Sequence, residues 1–188
     1  MKTKKGNLKV LEMFFDVVII GILIFLDQYT KHIAVLNLKD HDAIRLIDGV
    51  LELQYLENRG AAFGMMQNQK IFFVTIAIVI LIAILYVLIK SPAQPKYRLL
   101  NMLLVFIASG AVGNMIDRIG QNYVVDFIYV SLIDFPIFNV ADIYVTCGTI
   151  VLVLAILFYY KENDFGFLSL KPRMVREVKY TDHSKEQK

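Results

Sequence analysis

Four long apolar runs, parted by short polar stretches, set the pattern of this chain: residues 14–35, 71–89, 99–119 and 138–160. Each is long enough to cross a hydrocarbon core, which takes about 20 residues of helix. Between the first two runs the period changes. Residues 44–47, the pair Asp48-Gly49, and then 50–56, where Leu51, Leu53 and Tyr55 alternate with Glu52 and Gln54, predict a small β-hairpin. The expected fold is an all-α membrane protein of four transmembrane helices with a small β-hairpin in the loop 37–70. Residues 1–160 form its single domain, and 161–188 follow as a polar tail of mixed charge.

Composition supports the membrane reading, with 57% hydrophobic residues and a mean hydropathy of +0.56. The net charge of +3 is modest, and the basic residues flank the apolar runs without an aromatic-interleaved patch, which argues against a nucleic-acid partner. Their distribution predicts orientation instead. With both termini inside, fourteen of the twenty Lys and Arg residues are cytoplasmic, and only Lys31, Lys39, Arg45, Arg59, Lys70 and Arg118 lie outside. The hairpin is then extracytoplasmic and the tail cytoplasmic. The first run exceeds a signal-peptide core and no small-x-small cleavage site follows it, so it is expected to remain as an anchor. Cys147 has no disulfide partner and no neighbouring His or Cys, and reads as a small core residue of the fourth helix.

The chemistry concentrates where polar side chains interrupt apolar sequence: Asn114, Asp117, Asp126, Asn139 and Asp142. A carboxylate at membrane depth is costly unless paired, hydrated or protonated, which makes each one a functional candidate. Asp27, Thr30 and Lys31 share a helix face, and either Asp27 and Lys31 neutralise each other at the outer interface or they line a site. Gly110, Gly113, Asn114 and Asp117 form a small and polar stripe suited to close helix packing. Asp117 and its neighbour Arg118 read as a structural ion pair. Asn139 and Asp142 share a face at the opening of the fourth helix, where capping the helix competes with a catalytic role for Asp142. The stretch from Glu57 through Asn58, Gly60 and Ala61 to Gly64 is rich in small residues, fit either to cradle an extended peptide or simply to turn the chain back. The second run, broken only by Thr75 and Tyr86, is scaffold.

Two aspartates on one side of a membrane suggest aspartyl proteolysis. Like-charge repulsion leaves one protonated and one ionised, so that one activates water while the other hydrogen-bonds the peptide carbonyl. A His-Glu-x-x-His zinc motif and a Gly-x-Ser-x-Gly elbow are both lacking, and His32, His41 and His183 are scattered. A proton relay or small transporter is the rival reading. It calls for charges threaded across the bilayer, whereas Asp27, Asp117, Asp126 and Asp142 gather at the outer side.

Five motifs in order, Asp27-Gln28-x-Thr30-Lys31, Asn58-x-Gly60-Ala61-Ala62-Phe63, Gly113-Asn114-x-x-Asp117-Arg118, Val124-Val125-Asp126-Phe127 and Phe138-Asn139-x-Ala141-Asp142, resemble bacterial lipoprotein signal peptidase, signal peptidase II. The resemblance implies a membrane aspartyl endopeptidase that removes prolipoprotein signal peptides, cutting before the diacylglyceryl-modified cysteine. It implies Asp126 and Asp142 as the catalytic pair, with Asp27, Lys31, Asn58, Gly60, Ala61, Asn114, Asp117, Arg118 and Asn139 binding substrate or supporting the site. It further implies a β-cradle, no cofactor and no metal. The expected partners are lipid-modified prolipoproteins and membrane lipid, the expected state a monomer, and the expected place the bacterial cytoplasmic (inner) membrane with the active site near the outer face. Gly64 departs from the usual Ser, and Asp134 beside Pro136 is an additional acid, read as a turn residue.

Overall fold

The computed structural model describes residues 2–60 and 69–169. Its elements are α1 (Lys2–Leu38), β1 (Ile44–Ile47), β2 (Leu51–Asn58), α2 (Lys70–Lys90), α3 (Arg98–Gln121), β3 (Val124–Tyr129) and α4 (Val140–Phe158). Short 3-10 turns lie at Pro95–Tyr97, Ser131–Ile133 and Glu162–Leu168. Among the described residues, α2, α3 with the turn before it, and α4 are long and apolar enough to cross a membrane. Helix α1 overruns the expected 14–35 at both ends. Its 37 residues extend about 55 Å at 1.5 Å per residue, well beyond a hydrocarbon core of about 30 Å.

Helix α3 is the central element. Its Leu100, Leu103, Leu104, Val105, Ile107 and Ala108 are buried against Ile84 and Leu88 of α2, Ala155 of α4, and Tyr97 and Tyr160. Helices α2 and α4 instead leave much of their apolar surface exposed, including Val79 and Ile82 on one and Leu157 and Phe158 on the other, as helices facing lipid do. The small residues of α3 let its neighbours approach. A Cβ on Gly110 would run into the Ala141 carbonyl oxygen and the Val145 side chain of α4, and one on Gly113 would run into the Asp27 carboxylate of α1.

The expected hairpin forms as β1 and β2, turned by Asp48 and by Gly49 at a φ of +67°. A third strand, not read from the sequence, completes an antiparallel sheet in the order β1-β2-β3. Asn122 ends α3 in the left-handed region at φ 68°, which reverses the chain. Val125 and Phe127 then bury themselves against Ala34 and Leu38 of α1. Strand β3 also grips the entry to α4. The N–H groups of Phe127 and Ile128 donate to the Phe138 carbonyl (3.0 and 2.8 Å), and Phe138 N–H donates back to Ile128 (3.0 Å).

A buried ionic cluster ties α1 to this frame. Lys31 Nζ lies 2.9 Å from Asp27 Oδ2 and 2.9 Å from Asp117 Oδ2, and donates to Asn114 Oδ1 at 2.9 Å. All three ammonium protons thereby have partners. Asp27 Oδ1 accepts from Ala141 N–H in the first turn of α4 (2.9 Å), and Asp117 Oδ2 from Val125 N–H of β3 (3.3 Å). Asp27 is fully buried in the cluster, and the Asp27–Lys31 neutralisation, one of the two alternatives read at the outer interface, forms inside the bundle and takes in Asp117 as well. The expected Asp117–Arg118 pair is replaced by Asp117–Lys31. Consecutive helix residues point about 100° apart, so Asp117 meets α1 while Arg118 looks away from it.

The expected polar tail starts with structure. Lys96 pairs with Asp164 (2.6 Å), Tyr97 Oη donates to the Asp164 carbonyl (2.9 Å), and Phe165 and Phe167 pack on the α3 core. Residues 170–188 of the tail lie outside the described residues.

Gly110→Ala is expected to lower stability in detergent by about 1–3 kcal/mol through overpacking, while Gly120→Ala, with open space around it, changes it little; matched thermal unfolding measures both. Lys31→Met leaves two buried carboxylates unpaired and is expected to cost about 3–5 kcal/mol. A stability near wild type on denaturant titration would show that the Lys31 cluster does not hold the fold together.

Candidate active site

The grip of β3 on the α4 entry brings Asp126 and Asp142 to one cleft. Asn139, wholly buried, is the N-cap of α4, an ordinary place for Asn because its side chain satisfies an unpaired helical N–H. Its Oδ1 accepts from Asp142 N–H (3.0 Å), and Asp142 Oδ2 accepts from Asn139 N–H (3.1 Å), closing a capping box. The other end of the amide faces the strand, where Asn139 Nδ2 donates to Asp126 Oδ1 at 2.6 Å. One residue thus holds both carboxylates. Asp142 both caps the helix and lines the cleft.

Two more amides complete the setting. Asn58, at the end of β2 opposite Val124, donates from Nδ2 to Asp126 Oδ2 (2.8 Å). Asn114 Nδ2 donates to Asp142 Oδ1 (2.8 Å), while its Oδ1 accepts from Lys31 and from Asn139 Nδ2 (3.2 Å). The Lys31 ionic cluster therefore reaches the carboxylate pair through a neutral amide. No cation touches either carboxylate among the described residues.

Burial pushes the Asp126 carboxyl up to about 7, and the nearby Asp142 charge adds to the rise against the amide hydrogen bonds and Lys31. A carboxyl so placed retains its proton in a pH range where an ordinary aspartate has lost it.

The cleft, of about 530 Å³, is lined on its polar side by Asn58, Gly60, Arg118, Asp126 and Asp142. Arg118 is held at its rim, donating to the Gly60 carbonyl (3.2 Å) and the Asn114 carbonyl (3.4 Å) and lying over the Phe73 ring at 4.9 Å. Gly60 N–H donates to Asn58 Oδ1 (3.0 Å), fixing the turn that leaves β2. The opposite side comes from Phe135, Pro136, Ile137, Phe138, Ile143 and Thr146; of these only Phe138, within a motif, and Pro136, beside Asp134, were noted in the sequence, and none as a site residue. Cys147 also lines the cleft and is exposed, so the expectation of a core residue is corrected: α4 turns this face outward. Gln28 was likewise passed over as a site residue. Its Nε2 donates to Asp27 Oδ2, the Gly113 carbonyl and Asp117 Oδ1 (3.1, 3.2 and 3.0 Å), and its place beside Asp27 was the available signal. Asp134 is the turn residue expected, at φ 49° and accepting from Tyr129 Oη (2.7 Å). Of the expected site residues, Ala61 lies outside the described residues. Among the described residues, no three metal-ligating side chains converge.

Known proteins are similar to this chain in both sequence and fold. The chain is 45% identical over 142 residues to the lipoprotein signal peptidase of Streptococcus thermophilus, covering 76% of this chain and 90% of the relative. The lipoprotein signal peptidase of Caldanaerobacter subterraneus is 43% identical over 76% of this chain and 95% of its own, and that of Clostridium tetani 41% over 80% and 95%. Among solved structures, a bacterial membrane enzyme determined by the in meso method at 2.3 Å superposes with a TM-score of 0.70 at 33% identity, over 84% of this chain and 93% of that one. The model of the signal peptidase (SPase) II family matches residues 19–158. That match runs from the middle of α1 to the last residue of α4 and takes in the whole cleft, and the chain belongs to the signal peptidase (SPase) II family.

Proposed function

We propose that this chain is a membrane aspartic endopeptidase that removes the signal peptide of prolipoproteins, cutting before the lipid-modified cysteine, with Asp126 and Asp142 as its catalytic residues. The observation that carries the assignment is the Asn139 bridge, which fixes two carboxyl groups in one cleft without a cation on either. Lipoprotein signal peptidases are the relatives that share this sequence.

The pair works with one proton. The ionised carboxylate takes a proton from water as its oxygen attacks the scissile carbonyl carbon, and the protonated carboxyl donates to the carbonyl oxygen. Collapse of the tetrahedral adduct breaks the C–N bond, and a proton passes from the dyad to the leaving amino nitrogen. The pair titrates jointly, so acid and base are not assigned to single residues. Asn58, Asn114 and Asn139 donate to the carboxylates and hold their oxygens in place. Asp27, Lys31 and Asp117 support Asn114 and the α4 entry from behind. Arg118 and Gly60 stand at the cleft rim, where an extended peptide offers carbonyls and amides, and the apolar wall from Phe135 to Ile143 suits acyl chains.

The same reading has α1 cross the membrane with the other three helices, both termini cytoplasmic, the cleft near the outer face of the bacterial cytoplasmic membrane, and a monomer that needs no metal. The positive-inside count supports the orientation.

On a diacylglyceryl-modified prolipoprotein, Asp126→Asn and Asp142→Asn are each expected to lose turnover by about 10²–10⁴-fold or more while keeping a wild-type unfolding profile in detergent. Retained cleavage by both folded variants would sink the assignment. Wild-type kcat/KM is expected to fall as pH rises through about 7, because the shared proton then leaves, and to fall again in acid once both groups are protonated. Asn139→Ser retains an N-cap acceptor but loses the donor to Asp126. Turnover should drop with little change in Tm, and unaltered turnover would remove Asn139 from the machinery.

A further inference from the structure

A second cavity, of about 360 Å³, opens between the N-terminal half of α1 and the first turns of α3, and it shares no residue with the carboxylate cleft. Its Asn101 lies about 20 Å along α3 from Asn114 at 1.5 Å per residue. The cavity thus belongs to the opposite end of the bundle. Leu11, Phe15 and Ile19 of α1 and Met102 of α3 give it an apolar wall, and Glu12, Asp16, Asn101 and Arg98 give it a polar end.

Two acceptors there lack a donor. Asn101 is only 6% exposed, and its Oδ1 is buried without a hydrogen-bond partner, as is Glu12 Oε2. Buried polar atoms are nearly always paired, so two orphans on side chains that line one cavity require an explanation. Asp16 adds a second carboxylate to the same space. Lys9, a few residues away, donates to the Leu88 carbonyl of α2 (2.6 Å) and makes no hydrogen bond to either acid, though its charge lies near enough to act on both. Among the described side chains no ion pair reaches Glu12, Asp16 or Arg98.

We infer that this cavity binds the headgroup of a membrane phospholipid bearing a primary ammonium. The ammonium N–H groups satisfy Glu12, Asp16 and Asn101, the phosphate meets the Arg98 guanidinium, and an acyl chain lies along the apolar wall of α1 and α3. A quaternary ammonium has no N–H to give Asn101. A headgroup that carries only negative charge is repelled by the two acids, and a free amine in water leaves the apolar wall unused.

The test uses the full-length protein in detergent, with phosphatidylethanolamine, phosphatidylcholine, phosphatidylglycerol and soluble O-phosphoethanolamine as probes. Native mass spectrometry is expected to show phosphatidylethanolamine retained at least fivefold over the other two lipids, and thermal unfolding to show a matching rise in Tm. Glu12→Gln and Asn101→Leu should abolish the preference while prolipoprotein cleavage continues. Asn101→Leu should also raise the Tm of the lipid-free protein, because the orphan acceptor is gone. Equal retention of phosphatidylcholine by wild type, or an unchanged preference in both variants, overturns the inference. A stabilisation by O-phosphoethanolamine as large as that by the lipid overturns the lipid as its source. Should a variant fail to fold, the wild-type choice between primary and quaternary ammonium decides.

Discussion

The buried ammonium of Lys31 is the constraint on which the rest of the site depends. A cation in a bundle core is tolerable only if every proton finds an acceptor, and two carboxylates and one amide oxygen supply them. Each partner then has a second task. Asp27 holds the first turn of α4, Asp117 holds the first residues of β3, and Asn114 holds Asp142. A single charge thus fixes the relative positions of a helix N-terminus and a strand that meet only through tertiary contact. Glycine is required where the fold draws tightest, since a side chain at Gly113 would displace Asp27 from the cluster.

Neutral amides separate this charge from the carboxylate pair. A lysine bonded to Asp126 or Asp142 would favour full ionisation and take away the shared proton that the proposed water activation uses. Asn58, Asn114 and Asn139 give directional hydrogen bonds without a full charge, and burial can then hold a carboxyl near neutrality in its titration. Asn139 matters most because it belongs to both partners at once: its backbone and side chain close the capping box, and its amide spans to the strand. The ordinary chemistry of a helix start has been turned to orienting two acids.

The bundle divides its labour between its ends. Helices α2 and α4 present apolar side chains outward, and α3 carries the internal contacts. One end holds the sheet, the ionic cluster and the cleft. The other is closed by aromatic packing of Tyr97, Tyr160, Phe165 and Phe167, with Lys96 and Asp164 paired beside them.

What the sequence determined follows from local rules. Apolar runs of membrane length located α2, α3 and α4 to within a residue or two, because in lipid a helix is the available way to satisfy the backbone of a single span. The Asp48-Gly49 pair located the hairpin, since a turn with positive φ favours glycine. Five spaced motifs located the polar residues of the site. Tertiary structure decided how these residues join. Strand β3 has only six residues, too few for a clear alternation, and exists because β2 and the Phe138 segment pair with it from either side. Whether Asp117 meets Arg118 or Lys31 depends on the direction in which α1 approaches. Cys147, Phe135 and Ile143 became walls of the cleft through the way the loop after β3 folds over α4. Periodicity tells which residues share a face of one element, and only packing tells which face of another element comes to meet it.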